Sequence, residues 1–195
     1  MAIEDRRERE RAARRGLIIA TARRLAEAEG WDAVTTRRLS TEIEYSQPVL
    51  YKHFKGMEQI SDAVAVDGFG ELAEVIRSAR SGADAAGDVL ARAAHAYLDF
   101  ARANPAVYDA MFTRATTLPF GADDAPPQLA AAFDELRHAV GAIADRRDAA
   151  TLTEVFWASL HGLVTLSRAG RLRPGHDSER LQLLLDGFID EARAR

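Results

Sequence analysis

Residues Thr36 to Phe54, TRRLSTEIEYSQPVLYKHF, constrain this chain more than any other stretch. They read as two short helices joined by a tight turn. Leu39 and Ile43, four apart, mark one apolar face; Leu50 and Phe54, four apart, mark a second. Thr35 or Thr36 suits the N-cap of the first helix and Ser46 that of the next, because a short side-chain oxygen accepts from an orphaned backbone N–H. Pro48 falls in the first turn of the second helix, where a missing N–H does no harm. That helix then presents Gln47, Tyr51, Lys52 and His53 on one face. Such a pair is a helix-turn-helix, a device for entering the DNA major groove. Gln47 can read adenine bidentately, and Lys52 can reach guanine or a phosphate. Thr36 and Arg37 open the preceding helix, whose N-terminal N–H groups point toward the DNA backbone. The competing reading is an ordinary αα-hairpin in an all-helical protein.

Helical periodicity runs through the rest, with no strand-like alternation. About nine helices are expected. The first covers about 8–29 and stops at Gly30. The fourth covers about 57–80, the fifth 84–103 and the sixth, opened by Pro105, 105–114. An extended loop at 116–127 precedes helices over about 128–145, 148–170 and 178–194. The fold class is all-α, with a three-helix DNA-binding head over residues 1–56. A helical body over 57–195 would bind ligand and dimerise.

Composition tests that division. The chain has 195 residues and a net charge of −4, which alone argues against a nucleic-acid binder. Its distribution answers the objection: residues 1–55 carry 12 Lys+Arg against 9 Asp+Glu, and the remaining 140 carry 14 against 21. A mildly basic head sits on an acidic body. Arg6, Arg7, Arg9, Arg11, Arg14 and Arg15 form an N-terminal arm suited to phosphates or a minor groove. Interleaved with Glu4, Asp5, Glu8 and Glu10, they equally suit a solvated helix start. With no cysteine, neither a disulfide nor a thiolate metal site is available. No apolar run approaches a membrane span, and the charged start is no signal peptide, so the expected compartment is the cytoplasm. None of the five histidines pairs with another at i, i+4, so no metal site and no cofactor are expected.

The body is rich in aromatic residues. Tyr97, Phe100, Tyr108, Met111, Phe112, Trp157 and His161 fall at spacings that share helical faces, and are the expected lining of an effector site. Such a lining suits a largely apolar or aromatic molecule with one or two acceptors. His95 and His138 add polar company. In the last two helices, Val155, Ser159, Gly162 and Leu163 match Leu181, Leu185 and Phe188 as a four-helix dimer seam. The same stripes would also serve the subunit's own core.

Thr36…Leu39…Ile43…Ser46…LeuTyrLysHisPhe (50–54) resembles the tetracycline-repressor (TetR-type) family of bacterial transcription regulators. The segment from Ile18 to Gly30 is similar to that family's first helix. TrpAlaSerLeuHisGly (157–162) and AsnProAlaValTyr (104–108) resemble a subgroup whose ligand domain carries Trp-x-x-x-His-Gly. The resemblance implies a homodimer on a near-palindromic operator, released when a small effector binds. It also implies that Tyr51 and Lys55 contact phosphates. The chain departs from the family at Glu44-Tyr45, where Gly and Val or Ile are usual. Met57 stands where a Lys is usual. A residue other than Gly at a turn requiring φ > 0 costs about 1–2 kcal/mol. One alternative is a module of this fold that works without an effector. The other, an enzyme, finds no nucleophile elbow, phosphate loop or metal pair to support it.

Overall fold

The computed structural model describes residues 2–83, 85–119, 122 and 125–193. Among these lie nine α-helices and no strand. They are α1 (Ala2–Glu29), α2 (Thr36–Glu42), α3 (Gln47–Tyr51), α4 (Met57–Arg80), α5 (Ala86–Ala103), α6 (Pro105–Phe112), α7 (Pro127–Gly141), α8 (Ala149–Arg168) and α9 (Asp177–Arg193). A 3-10 turn at Trp31–Ala33 follows α1. The chain forms two compact units: residues 1–68 with 104–125, and residues 69–103 with 126–195.

In the first unit, α1 begins six residues earlier than its periodicity suggests. Glu4 and Asp5 sit in its first turn, where they oppose the helix dipole, and Arg6 pairs with Glu10 one turn on. Ile18, Ala22 and Leu25 form its buried stripe. Leu39, Leu50, Phe54 and Ile60 are likewise buried, so α2, α3 and the start of α4 each contribute to the core. The α3 helix is shorter than expected. Its end tightens into i→i−3 bonds, Lys52 N to Val49 O (3.2 Å) and His53 N to Leu50 O (3.0 Å), which turn Phe54 into the core.

The sequence does not announce how α6 joins this unit. No side chain caps α6 from its own N-cap, Asn104. The Glu27 carboxylate of α1 does so instead, accepting from Ala106 N (3.1 Å) and Val107 N (3.0 Å). A carboxylate there satisfies two orphan donors and meets the positive end of the helix dipole. Trp31 Nε1 donates to Ala106 O at 2.8 Å, and Arg23 donates to Asn104 Oδ1 at 2.8 Å. Buried Asp62 of α4 accepts from the hydroxyls of Thr116 and Thr117, tying down the segment that leaves α6.

The second unit packs α5, α7, α8 and α9 with the later turns of α4. Leu90, Tyr97, Val140, Phe156 and Leu160 are buried to the last percent. Asp148 caps α8 by accepting from Thr151 N at 2.7 Å. The half of α4 that belongs here is bound to α7 through Glu135, which accepts from Arg77 Nε (2.9 Å) and from Arg80. Burial opposes ionisation of Glu135, but the hydrogen bonds from Arg80 and Arg77 outweigh it and hold the carboxyl below its usual range.

Candidate nucleic-acid interface and aromatic cluster

The turn between α2 and α3 is a Schellman closure. Glu44 adopts φ 56°, Tyr45 N donates to Ser40 O (3.0 Å), and Glu44 N approaches Thr41 O (3.4 Å). The positive φ that the departure from Gly put at issue is therefore present. Glu44→Gly should raise the unfolding free energy by about 1 kcal/mol, read as a higher denaturation midpoint at unchanged slope. Thr35, not Thr36, caps α2, its hydroxyl accepting from Arg38 N at 3.1 Å. Ser46 occupies the N-cap of α3 without a side-chain bond.

These elements aim a row of side chains outward. Arg37, Ser46, Gln47, Pro48, Tyr51, Lys52 and Lys55 are exposed, and Tyr51 keeps half its surface open. Thr36 is half-buried. Lys52 and His53 are not on a helical face with Gln47 and Tyr51, because α3 ends at Tyr51. His53 is half-buried beside this row, and its Nδ1 is sealed from solvent with no hydrogen-bond partner. Burial first, then the charges of Arg11, Arg14, Arg15 and Lys52, hold its imidazole below the ordinary value of 6.5. Lys55 N donates to Gln59 Oε1 at 2.9 Å, which secures the entry to α4 and leaves the Lys55 ammonium free to reach out. Met57, in the place of the usual Lys, is half-buried.

Arg15, one of the six arginines of the N-terminal arm, has a distinct place. Its guanidinium donates to His53 O (3.1 Å) and lies 4.1 Å over the Phe54 ring, fastening α1 to the end of the helix-turn-helix. Only its i−3 spacing from the apolar Ile18 hints at that in sequence. Arg38 bonds Glu29 (3.1 Å) and Glu42 (3.0 Å), and Arg24 bonds Glu42 (2.6 Å). The hydrogen bonds from Arg24 and Arg38 lower the Glu42 pKa.

The seven expected effector residues fall into two sets. Tyr108, Met111 and Phe112 belong to the first unit, with the Tyr108 and Phe112 rings 4.8 Å apart. Tyr97, Phe100, Trp157 and His161 belong to the second. There Trp157 Nε1 donates to the buried Tyr97 hydroxyl at 3.1 Å, and the Trp157 and His161 rings lie 6.3 Å apart. Burial holds the His161 imidazole below its ordinary value, so it is the neutral, hydrogen-bonding form at pH 7. His95 and His138 do not join them. Both are exposed, and each bonds a carbonyl one turn back on its own helix, Ala91 O and Asp134 O. The second unit holds a cavity of about 80 Å³ between α5, α8 and α9, bounded by Leu98, Val164, Arg168 and Arg180. None of the seven lines it, and it is well below the roughly 300 Å³ of a ligand pocket.

Burial divides the stripes read as dimer seam or subunit core. Leu181 and Leu185 are buried within the single chain, so they serve its own core. Phe188, one turn on, is half-buried edge-on to Phe156 at 5.1 Å. The inward stripe of α9 thus runs 181, 185, 188. Of the named residues, Val155 is exposed and Ser159, Gly162 and Leu163 are half-buried. Leu166 on α8 and Leu183 on α9 are further exposed apolar residues.

Among the described residues no helix is long and apolar enough to cross a membrane, and no three acidic or histidine side chains are grouped to hold a metal. Residues 18–64 match the family model described as bacterial regulatory proteins, tetR family, and residues 90–188 match that described as tetracyclin repressor-like, C-terminal domain. An uncharacterized HTH-type transcriptional regulator of Mycobacterium tuberculosis is 29% identical over 157 residues, 78% of this chain and 69% of that protein. A solved protein of unknown function from Rhodococcus sp. RHA1 superposes with a TM-score of 0.77 at 26% identity, covering 91% of this chain and 94% of the other. RolR, solved with resorcinol, superposes with a TM-score of 0.66 at 19% identity, covering 95% and 94%.

Proposed function

From the premise that the chain belongs to the TetR family of DNA-binding transcription regulators, and is not an enzyme, we propose that it is a cytoplasmic, homodimeric repressor released by a small effector. The observation that carries the DNA half is the split of one motif into two faces. Leu39, Ile43, Leu50 and Phe54 are buried, while Gln47, Tyr51, Lys52 and Lys55 stand exposed beside them. In this reading residues 1–56 supply the DNA-reading surface and residues 57–195 the dimer and effector functions. Gln47 reads a base; Tyr51, Lys52 and Lys55, with Thr36, Arg37 and Ser46 at helix starts, hold phosphates. Pro48 pre-forms the first turn of the reading helix, and His53 backs its end.

Tyr97, Phe100, Trp157 and His161 supply the effector-sensing cluster, with Tyr108, Met111 and Phe112 as further aromatic candidates. A neutral imidazole and a phenol among apolar rings suit a small aromatic molecule with one or two polar groups. The resorcinol of RolR, a protein of the same fold, is a molecule of that kind. Release requires the effector to favour a conformer that binds DNA less well.

Selection from random duplexes should return a near-palindrome with half-sites about 34–36 Å apart or a multiple of that. A single asymmetric half-site would exclude the dimeric reading. Gln47→Ala should relax preference at one base position by about 1–3 kcal/mol, whereas Lys55→Ala should weaken all sequences alike. An unchanged selected motif for Gln47→Ala would remove its base-reading role.

A further inference from the structure

The stripe of α1 that enters the core continues beyond the core. Ile18, Ala22 and Leu25 are fully buried, and at spacings of three and four the same face runs back through Arg14, Arg11 and Arg7. Residues 4–17 are all exposed. Arg15 sets where this face lies, because its bonds to His53 O and the Phe54 ring dock α1 at the end of α3. Arg11 and Arg14 stand beside that junction, close enough to act on the His53 ring by charge, as Lys52 does from the end of α3.

The rest of α1 is arranged differently. Arg6 pairs with Glu10, and Arg9 donates to the Asp5 carbonyl. Arg11 and Arg14 make no ion pair or hydrogen bond among the described residues. Three cations at one junction without a counter-ion repel one another, and an anion brought there relieves that repulsion. The junction adjoins the helix read as entering the major groove, so the anion within reach is the sugar-phosphate backbone flanking it. We propose that Arg11, Arg14 and Lys52 form a phosphate cradle around His53 that extends the DNA contact onto α1, and that a DNA phosphate seated there lets His53 take up a proton from solvent. The inference rests on the reading of the chain as a duplex binder.

The sign of the proton effect follows from the charges. In the free protein, burial and then Arg11, Arg14, Arg15 and Lys52 keep His53 neutral below its ordinary 6.5. A phosphate offsets those charges and raises the pKa, so binding takes up a proton. Affinity then falls as pH rises through the window from the depressed value toward 6.5.

The probe is a mixed-sequence 40-base-pair duplex, bound to the full chain and followed by fluorescence anisotropy from 50 to 200 mM salt. Each phosphate contact contributes about 0.9 to the slope of log K against log salt. Arg11→Gln/Arg14→Gln should empty the cradle and lower that slope by about 0.9 per protomer, about 1.8 for the dimer, so that wild type loses roughly tenfold more affinity than the variant over this range. Arg6→Gln/Arg9→Gln removes the same charge from other faces of α1 and should change the slope far less. Equal effects of the two double variants, or no change in either, would overturn the cradle. Wild type that fails to bind duplex at all would overturn the DNA reading and the cradle together. His53→Gln should abolish the rise in affinity at low pH; persistence of that rise would overturn the protonation.

Discussion

Leu185→Glu should unfold the second unit, while Val155→Glu should leave it folded and separate the dimer. Leu185 is 3% exposed on the inward stripe of α9, and a carboxylate there has no partner. An uncompensated buried charge costs on the order of 3–5 kcal/mol, a large share of a domain's stability. Val155 is 53% exposed on α8, so a charge there costs the monomer little. If Val155 meets its symmetry mate, two like charges face each other, the dimer dissociates, and specific DNA binding goes with it. A lone half-site contact is weak once the second is no longer effectively intramolecular. Thermal melting separates the two variants, and light scattering reads the dimer. A Val155→Glu protein that still scatters as a dimer moves the seam elsewhere, with Leu166 and Leu183 as the next exposed apolar residues to test.

The second large effect is expected in the first unit. A Cβ on Gly68 would lie 2.4 Å from Val107 Cγ1 and 2.8 Å from Met111 Sδ. Glycine is needed here for close approach of α4 and α6. Met111 can yield, but Val107 is stiff at χ1, and its backbone is held by Glu27. Gly68→Val should therefore destabilise the first unit by about 1–3 kcal/mol or more. The chain has two tryptophans, Trp31 in the first unit and Trp157 in the second. In a Trp157→Phe background, Trp31 fluorescence during denaturation reports the first unit alone. An unchanged midpoint would mean that α4 and α6 can separate at this point without loss.

What the sequence disclosed and what it withheld divide along one line. Local chemistry was legible. A threonine cap at 35 or 36, Gly30 beyond α1, Pro105 at the start of α6 and the question of a positive φ at Glu44 all follow from a residue's own backbone preference; the structure selects Thr35 and shows the other three. Apolar pairs at i, i+4 located the buried faces of α2 and α3 for the same reason. Non-local partnership was not legible. Glu27 reads as a surface acid, and nothing near it in sequence reveals the helix 80 residues on that it caps. Nor can periodicity say whether the broad apolar stripe of α9 turns inward or outward, so seam and core stay equally open for Leu181 and Leu185 until the packing shows them buried. The aromatic set met the same limit. Helical spacing placed neighbours on common faces, but it could not show that they would divide between two units.

The debt of α6 to α1 bears on how such regulators exchange parts. A recombination event that grafts a foreign reading head at a single junction near residue 56 would carry away Glu27 and Trp31 and leave behind Ala106 and Val107. Unless the incoming head brought an acid and an indole to the same places, α6 would keep two bare N–H groups at its start. Heads that travel freely between such bodies must therefore carry matching acceptors, or travel together with the short helix they cap. Compatibility between parents is written in Glu27 at the end of α1 and in Trp31 just beyond it.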